Sequence, residues 1–249
     1  MKKDTSWEFS AEWYDDLLKG EGTYQKELIL PNLLRLMDIK KGETVLDLAC
    51  GQGFFTREFM NLGAHAIGVD SSRTLIELAR KSAPKIDFYL SKAHSLDFIK
   101  NGGVQKIAIV LALQNMEDTA LVLKECARVL APTGTLSIVL NHPSFRIPKN
   151  SSWGWDEKNN IQYRRIDSYL SESKTKIQMH PGDRPDEYTI SFHRPFQFYF
   201  KALAKAGFGV TQLEEWNSHK KSGPGPRAQA EDTARKEIPL FLFLKAEKK

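Results

Sequence analysis

Short apolar runs alternate with longer amphipathic runs from residue 44 to the end of the chain. The apolar runs predict strands at residues 44–49, 64–70, 86–90, 107–113, 135–141, 209–215 and 238–245. The runs with helical spacing predict helices at residues 54–62, 72–82, 95–100, 117–130 and 195–206. The nearly continuous apolar run at 107–113 is typical of a strand with helices on both sheet faces. The alternation therefore predicts an α/β fold with a doubly wound sheet and right-handed crossovers.

Three segments stand outside this alternation. Residues 1–40 predict an N-terminal helical cap, in which two amphipathic helices are separated by Gly20-Glu21-Gly22. Residues 142–194 are polar and aromatic and exceed the ~12–15 residues of an ordinary connection, so we expect a structured insertion that forms a substrate lid. Residues 217–236 predict a basic loop. The sequence has no internal repeat and no second core, so we expect residues 1–249 to form one domain that carries these insertions.

Composition restricts the classes of protein that the chain can represent. Of its 249 residues, 41% are hydrophobic and 27% are charged, which is typical of a soluble globular protein. No apolar run approaches the ~20 residues that span a bilayer, and the N-terminus lacks the apolar region of a secretory signal. Cys50 and Cys126 are too few for a disulfide framework or a cysteine-based zinc site, so we expect no metal and a cytoplasmic location.

The net charge of +5 is concentrated in the insertions. Residues 144–176 hold seven basic and four acidic residues, and residues 217–236 hold five basic and two acidic residues. A basic surface of this kind favours an anionic substrate, nucleic acid or an anionic membrane surface as a partner. It is equally compatible with a surface that serves only solubility.

The first predicted strand runs into a tight glycine turn, and a helix follows. Gly51 and Gly53 in this turn allow a ligand to lie against bare backbone. A dinucleotide fingerprint needs a third glycine or alanine where Thr56 stands, so this fingerprint is incomplete, and no phosphate-binding P-loop motif is present. Asp70 ends the second strand, where a carboxylate can accept hydrogen bonds from ribose hydroxyls or cap the next helix. The glycine turn and the acid together are more specific than either feature alone.

These motifs resemble a known family. Val45-Leu46-Asp47-Leu48-Ala49-Cys50-Gly51-Gln52-Gly53, followed by Gly68-Val69-Asp70, resembles the S-adenosylmethionine site of class I methyltransferases. Residues 111–118 and 126–134 resemble the ubiquinone/menaquinone C-methyltransferase branch of that family. The resemblance implies a Rossmann-like, mostly parallel sheet of seven strands with an antiparallel last strand. It also implies S-adenosylmethionine as the cofactor and S-adenosylhomocysteine as the product.

The same resemblance implies a set of cofactor contacts. Asp70 would hold the ribose, and Asp47 would orient the glycine turn and help to receive the ammonium group. The family usually has an aspartate where Lys92 stands, so we expect the adenine contact from the backbone of Ala93 or from His94. The other expected cofactor contacts are Ala49, Gly51, Gly53, Ser71, Gln114 and an N-terminal tyrosine, Tyr14.

Residues for the methyl acceptor are predicted from their position. Methyl transfer from a sulfonium is an in-line displacement, which needs a general base only if the acceptor must lose a proton. His142 follows the fifth strand at its carboxyl end and is the candidate base. Trp153, Trp155 and Arg164 could form the lid, and Arg194 could hold a substrate anion. A purely structural role is the alternative for each of them.

We therefore expect a methyltransferase that acts on a small, anionic or aromatic acceptor. An RNA methyltransferase that uses the basic insertions and a non-catalytic protein that binds S-adenosylmethionine are the alternatives. Amino-group methylation of adenine or glutamine is disfavoured because no Asn-Pro-Pro-Tyr/Phe motif follows the fourth strand. Neither cysteine is placed to act as the nucleophile of cytosine C5 methylation. RNA binding would weaken steeply between low and moderate salt.

Overall fold

The computed structural model describes residues 7–8, 20–178 and 188–249. Its strands are β1 (Thr44–Leu48), β2 (His65–Asp70), β3 (Asp87–Leu90), β4 (Val104–Val110), β5 (Leu130–Asn141), β6 (Ser151–Asp156), β7 (Ile161–Ile166), β8 (Ser173–Gln178), β9 (Tyr188–His193), β10 (Phe208–Trp216) and β11 (Phe241–Lys248). Its α-helices are α1 (Leu30–Met37), α2 (Phe54–Asn61), α3 (Arg73–Ser82), α4 (Thr119–Val129), α5 (Phe196–Lys205) and α6 (Ala228–Glu237). A π-helical turn (Gln25–Ile29) leads into α1, and a 3-10 turn (Leu113–Asn115) follows β4.

Seven of these strands form one sheet in the order β10-β11-β5-β4-β1-β2-β3. The pairs β1–β2, β2–β3, β1–β4 and β4–β5 are parallel, whereas β11 runs antiparallel to β10 and β5. The predicted doubly wound sheet of seven strands with an antiparallel last strand is confirmed. The strand order reverses between β1 and β4, so the crevice that can accept a ligand lies at the carboxyl ends of these two strands.

Strand β4 is apolar because both of its faces are covered. Ile107 and Ile109 are fully buried in a cluster with residues of α4 and α5. Ala108, on the opposite face, is fully buried in a second cluster with residues of α1 and α2. This two-sided packing holds the carboxyl end of β4 in a fixed position beside that of β1.

The insertion at residues 142–194 contains two antiparallel hairpins among its described residues. In the first hairpin β6 pairs with β7, and Trp153 lies opposite Arg164. In the second hairpin β8 pairs with β9, and Lys174 lies opposite Phe192. The insertion therefore has structure of its own, as its length indicates.

The helix predicted at residues 95–100 is wrong, because this segment forms turns. Side chains of α4 satisfy its backbone groups: Glu125 accepts a hydrogen bond from the Leu96 N–H at 2.9 Å, and Arg128 donates to the carbonyls of Leu96 and Ile99, each at 2.9 Å. Leu96 and Ile99 are buried in the core. Their apolar spacing therefore reflects tertiary burial, and no local helix is needed to satisfy the backbone.

The loop predicted at residues 217–236 is also wrong over its second half, which forms α6. Ala234 is the one buried residue of this helix, so the helix carries little apolar periodicity. Arg227 precedes α6 and stacks on Trp155 of β6 at 4.6 Å, which places the two basic segments side by side. In the N-terminal cap, the second predicted helix is observed as α1, and most of the first lies outside the described residues. No helix in the described ranges is long and apolar enough to cross a membrane.

Candidate functional site

A cavity of about 410 Å³ lies at the carboxyl ends of β1, β2, β3 and β4. Its volume is within the range of small-molecule sites. The residues of the sequence-predicted set that line it are Ala49, Gly51, Asp70, Ser71, Ala93 and His94. The structure therefore brings together predicted residues from the three loops that follow β1, β2 and β3.

The Asp70 carboxylate links the glycine turn to the start of α3. Its Oδ2 accepts a hydrogen bond from the Gly51 N–H at 2.9 Å, and its Oδ1 accepts one from the Ser72 N–H at 2.8 Å. Burial raises the pKa of Asp70, and these backbone donors oppose the shift. Each carboxylate oxygen can accept more than one hydrogen bond, so Asp70 can still bind hydroxyl donors from the cavity.

Two residues other than glycine adopt a left-handed backbone at the edge of the cavity. They are Ala49 (φ 65°) after β1 and Leu111 (φ 52°) after β4, and both line the cavity. Such conformations cost ~1–3 kcal/mol each and cluster at functional sites. Gln114 and Asn115 donate side-chain hydrogen bonds to the Leu111 carbonyl, at 2.8 and 3.3 Å. Gln114, a predicted cofactor contact, is buried and supports this turn without lining the cavity.

Asp47 and Gly53 shape the glycine turn and do not line the cavity. Asp47 is 1% exposed and accepts a hydrogen bond of 2.6 Å from the Thr56 hydroxyl in α2. Desolvation raises the pKa of Asp47 to about 7, against the effect of the Thr56 hydrogen bond. Gly53 has φ 79°, and a Cβ there would approach the Phe88 ring to 2.7 Å. This geometry supports the turn-orienting role expected for Asp47 and does not bring its carboxylate to a ligand in the cavity.

The N-terminal segment reaches the cavity through Trp7 and Glu8. Trp7 lines the cavity, and Glu8 binds the start of α3. The Glu8 carboxylate accepts hydrogen bonds from the hydroxyls of Ser72 and Thr74 at 2.8 and 2.7 Å, and from the Thr74 N–H at 3.1 Å. Burial acts to raise the pKa of Glu8, but these hydrogen bonds outweigh it and lower the pKa. Tyr14, the predicted N-terminal contact, lies outside the described residues.

The second hairpin forms the outer wall of the cavity. Ile190 and Phe192 of β9 line it, as do Met116 and Glu117, which follow the 3-10 turn. Lys174 of β8 forms an ion pair with the Glu117 carboxylate at 3.1 Å. The hairpin is therefore attached to the segment that follows β4.

Arg194 strengthens this attachment from a buried position. It is 5% exposed, and its Nη2 donates to the carbonyls of Met116 and Glu117 at 2.9 and 3.0 Å. Its guanidinium also lies on the rings of Phe192 and Phe198, at 4.7 and 4.9 Å. Arg194 does not line the cavity, and its contact with a substrate anion stays a prediction.

The first hairpin does not contribute to this cavity. The guanidinium of Arg164 lies over the Trp153 ring, and that of Arg227 lies over the Trp155 ring, with 5.1 and 4.6 Å between Cζ and the ring centre. Arg164 also donates to the Phe145 carbonyl at 2.8 Å. Trp153, Trp155 and Arg164 are not among the residues that line this cavity, and the lid role expected for them stays a prediction.

His142 is 1% exposed and is held from both sides of its ring. Its Nδ1 accepts a hydrogen bond from the Ser144 N–H at 3.2 Å, and its Nε2 lies 2.6 Å from Glu215 Oε1. Burial lowers the pKa of His142, and the bond to Glu215 opposes the shift. His142 is not part of the cavity lining, and its role as a base stays a prediction.

The charges of the cavity lining favour a cation without phosphate groups. The acidic residues Asp70, Glu117 and Asp118 line it, and Lys92 is the one lysine or arginine among the lining residues of the described chain. A sulfonium nucleoside that carries an ammonium group has this charge and lacks phosphate, and the bare backbone at Gly51 gives it room. The residues present therefore fit S-adenosylmethionine.

Comparisons with known proteins agree with this chemistry. The model of a methyltransferase domain family matches residues 45–134. A demethylmenaquinone methyltransferase of Lactococcus lactis subsp. lactis is 32% identical over 207 residues, which cover 77% of this chain and 75% of that protein. A demethylmenaquinone methyltransferase of Paenarthrobacter aurescens is 31% identical over 115 residues, and the chain matches only 45% of its length.

Solved structures share the fold. An S-adenosylmethionine-dependent methyltransferase from Mesorhizobium loti superposes with a TM-score of 0.72 at 24% identity, over 91% of this chain and 100% of the other. A methyltransferase of Haloferax volcanii, in a complex with the activator Trm112, gives 0.68 at 18% identity, over 100% of this chain and 99% of the other. At these identities the likeness concerns the fold.

The raised pKa of Asp47 predicts a pH-dependent stability. The folded state binds the Asp47 proton more tightly than the unfolded chain, so this contribution is full below about pH 4 and is lost as the pH rises through about 7. We expect Asp47→Asn, which keeps an acceptor for Thr56, to remove this loss. The stability of the variant relative to the original chain should rise by on the order of 3 kcal/mol between pH 4 and 8 in urea titrations. A difference that is constant over this range would contradict the assignment.

Proposed function

Because the chain belongs to the class I S-adenosylmethionine-dependent methyltransferases, in the branch of the menaquinone and ubiquinone methyltransferases, we propose that it methylates a small aromatic acceptor beneath its second hairpin. The observation that carries this proposal is the composition of the cavity walls. The glycine turn and Asp70 give the lining a polar part, here called the polar wall, and Ile190 and Phe192 give it an apolar part, here called the apolar wall. A nucleoside fits the polar wall, and a flat apolar ring fits the other.

The residues of the polar wall would hold the cofactor. When bound, S-adenosylmethionine supplies an electrophilic methyl group on its sulfonium. We assign Asp70 to the ribose hydroxyls, and the backbone of Ala49 and Gly51 to the methionine end. The adenine end is assigned to Ala93 and His94, which line the cavity next to β3. Lys92 stands in the same lining and replaces the acidic residue that is usual in the family.

The residues of the apolar wall would align the acceptor. Phe192, Ile190 and Met116 exclude water from the ring and fix its plane, and alignment alone accounts for a large part of the rate of an in-line displacement. His142 is held away from the cavity by Glu215 and Ser144. An acceptor that is already an anion, such as a phenolate, needs no base to lose a proton, so this class of acceptor is consistent with the site.

The direct test is transfer of a tritiated methyl group from S-adenosylmethionine. We expect label in the small-molecule fraction of an extract, at a rate that changes little between low and moderate salt. Label in RNA, with a rate that falls steeply over the same salt range, would replace this proposal by RNA methylation. Cofactor binding without label in any fraction would indicate a non-catalytic protein.

Asp70→Ala should weaken the binding of S-adenosylmethionine by ~1–3 kcal/mol, because hydrogen bonds to a charged acceptor are lost. Asp70→Asn, which keeps one acceptor oxygen, should lose less. Isothermal titration calorimetry measures the affinity, and the melting temperature without cofactor shows whether each variant is folded. Unchanged affinity in a folded Asp70→Ala variant would exclude the ribose contact.

Phe192→Ala should raise the KM for the acceptor by about tenfold, since an aromatic contact of ~1–1.5 kcal/mol is lost, while the Kd for the cofactor changes little. Trp153→Ala is the matched control, because Trp153 is an aromatic residue on the other hairpin and lies outside the cavity lining. Steady-state kinetics with a labelled acceptor gives the KM for the acceptor, and calorimetry gives the Kd for the cofactor. Equal effects of the two substitutions would show that the second hairpin is not the specific wall.

A further inference from the structure

The two described residues nearest the N-terminus lie at the cofactor cavity. Trp7 belongs to the cavity lining, together with Asp70 and Ser71 at the carboxyl end of β2. Glu8, the next residue in the chain, contacts Ser72 and Thr74 at the start of α3, which are 64 and 66 residues away in the sequence. The fold therefore brings this segment back to the polar wall. We call the pair Trp7-Glu8 the N-terminal strap.

Three hydrogen bonds to the Glu8 carboxylate fix the strap in place. Oε2 accepts one from the Ser72 hydroxyl at 2.8 Å, and Oε1 accepts two from Thr74, from its hydroxyl at 2.7 Å and from its N–H at 3.1 Å. Hydrogen bonds to an ionised carboxylate are stronger than those between neutral groups. The start of a helix also favours a negative charge, because its first N–H groups have no partner within the helix. Glu8 therefore gives Trp7 a defined position at the cavity.

Ser72 connects the strap to the carboxylate to which we assign the ribose. It is fully buried, and its hydroxyl donates to Glu8 while accepting a hydrogen bond from the Leu75 N–H at 3.3 Å. The Ser72 N–H donates to Asp70 Oδ1 at 2.8 Å. Burial raises the pKa of Asp70, and the charge of Glu8 acts in the same direction. The strap and Asp70 therefore belong to one hydrogen-bonded group at the start of α3.

Trp7 is the largest side chain among the described residues that line the cavity. It is half-buried, so it stands at the boundary between the cavity and solvent. An indole ring offers a broad apolar surface to a flat ligand such as a nucleoside. A nucleoside that packs against this ring keeps the contact only while Glu8 holds the strap in place.

We propose that Glu8 is a positioning residue that holds Trp7 against the bound cofactor, so that the N-terminal strap slows cofactor release. Glu8 does not line the cavity and acts through Trp7. Release then requires that the hydrogen bonds of Glu8 break or that the Trp7 ring turns away, whereas entry into an open site requires neither. The strap therefore acts on koff more than on kon. This inference concerns the cofactor and does not depend on the identity of the methyl acceptor.

The test measures kon and koff for S-adenosylhomocysteine, which shares the nucleoside of the cofactor, by surface plasmon resonance on the immobilised full chain. Trp7→Ala should raise koff by about tenfold, because the aromatic contact with the ligand is lost. Glu8→Ala should raise koff by a similar factor, and kon should change little in either variant. Glu8→Gln keeps the shape of the side chain and one acceptor oxygen, so it should give an intermediate koff. Glu77→Ala is the matched control, because Glu77 is an exposed carboxylate of α3 outside the cavity lining, and it should change neither rate.

A double-mutant cycle shows whether Glu8 acts through Trp7. In the Trp7→Ala background, Glu8→Ala should change koff by less than about twofold, because the ring that Glu8 positions is already absent. The same factor in both backgrounds would show that Glu8 acts on the site independently of Trp7, and its positioning role would be wrong. The melting temperature without ligand shows that each variant is folded.

Hydrogen exchange at the Thr74 amide gives a second readout, which does not require a Glu8 variant to fold. This N–H donates to Glu8, so its exchange reports on the strap. If the strap retains the ligand, the ligand must stabilise the strap by the same factor, because coupling is reciprocal. Saturating S-adenosylhomocysteine should therefore slow exchange at Thr74 in the original chain, and by at least about threefold less in Trp7→Ala.

The outcomes separate this inference from the proposed function, because none of these measurements uses a methyl acceptor. An unchanged koff in Trp7→Ala or in folded Glu8→Ala would overturn the strap. A lower kon with an unchanged koff would also overturn it, because that result indicates a misshapen site and no retention. In either case, methyl transfer to a small molecule would leave the proposed function intact. If koff rises as expected but no small molecule is methylated, the strap stands and the proposed function fails.

Discussion

The site depends on one constraint, the attachment of the glycine turn to the end of β2 through Asp70. The carboxylate accepts backbone hydrogen bonds from Gly51 and Ser72, so it joins the loop after β1 to the start of α3. A buried carboxylate is stable only when such donors surround it, and the left-handed backbone at Ala49 and Gly51 is what turns the loop toward it. Asp70 also lines the cavity, so the residue that fixes the loop is the one to which we assign the ribose.

Those parts of the site that lie on neighbouring strands could be predicted from the sequence. Gly51 and Asp70 are far apart in the chain, but β1 and β2 are parallel neighbours, so their carboxyl ends meet at one edge. The same reasoning places Ala93 and His94 beside them, after β3. Asp47 and Gly53 belong to the same local pattern, but their burial behind the turn depends on Thr56 and Phe88, which periodicity does not reveal.

The outer wall could not be predicted, because hairpin orientation depends on contacts that no local pattern encodes. Both hairpins of the insertion are rich in aromatic and basic residues, and the two tryptophans made the first hairpin the natural candidate for a lid. The structure attaches the second hairpin to the cavity through Arg194 and Lys174, which bind the segment after β4. The segment at residues 95–100 is a similar case, since Arg128 and Glu125 of α4 replace the hydrogen bonds of a helix there.

The distribution of charge in the cavity favours the proposed methyl donor. A methyl donor with a sulfonium and an ammonium group is favoured by acidic residues such as Asp70, Glu117 and Asp118, which line the cavity. These acids would repel an anionic acceptor such as a phenolate, and the positive charge of the bound sulfonium would offset that repulsion. Methyl transfer removes the positive charge of the sulfonium and leaves the acceptor less nucleophilic. Attraction between the two bound partners therefore weakens after the reaction, which favours release of the products over a second transfer.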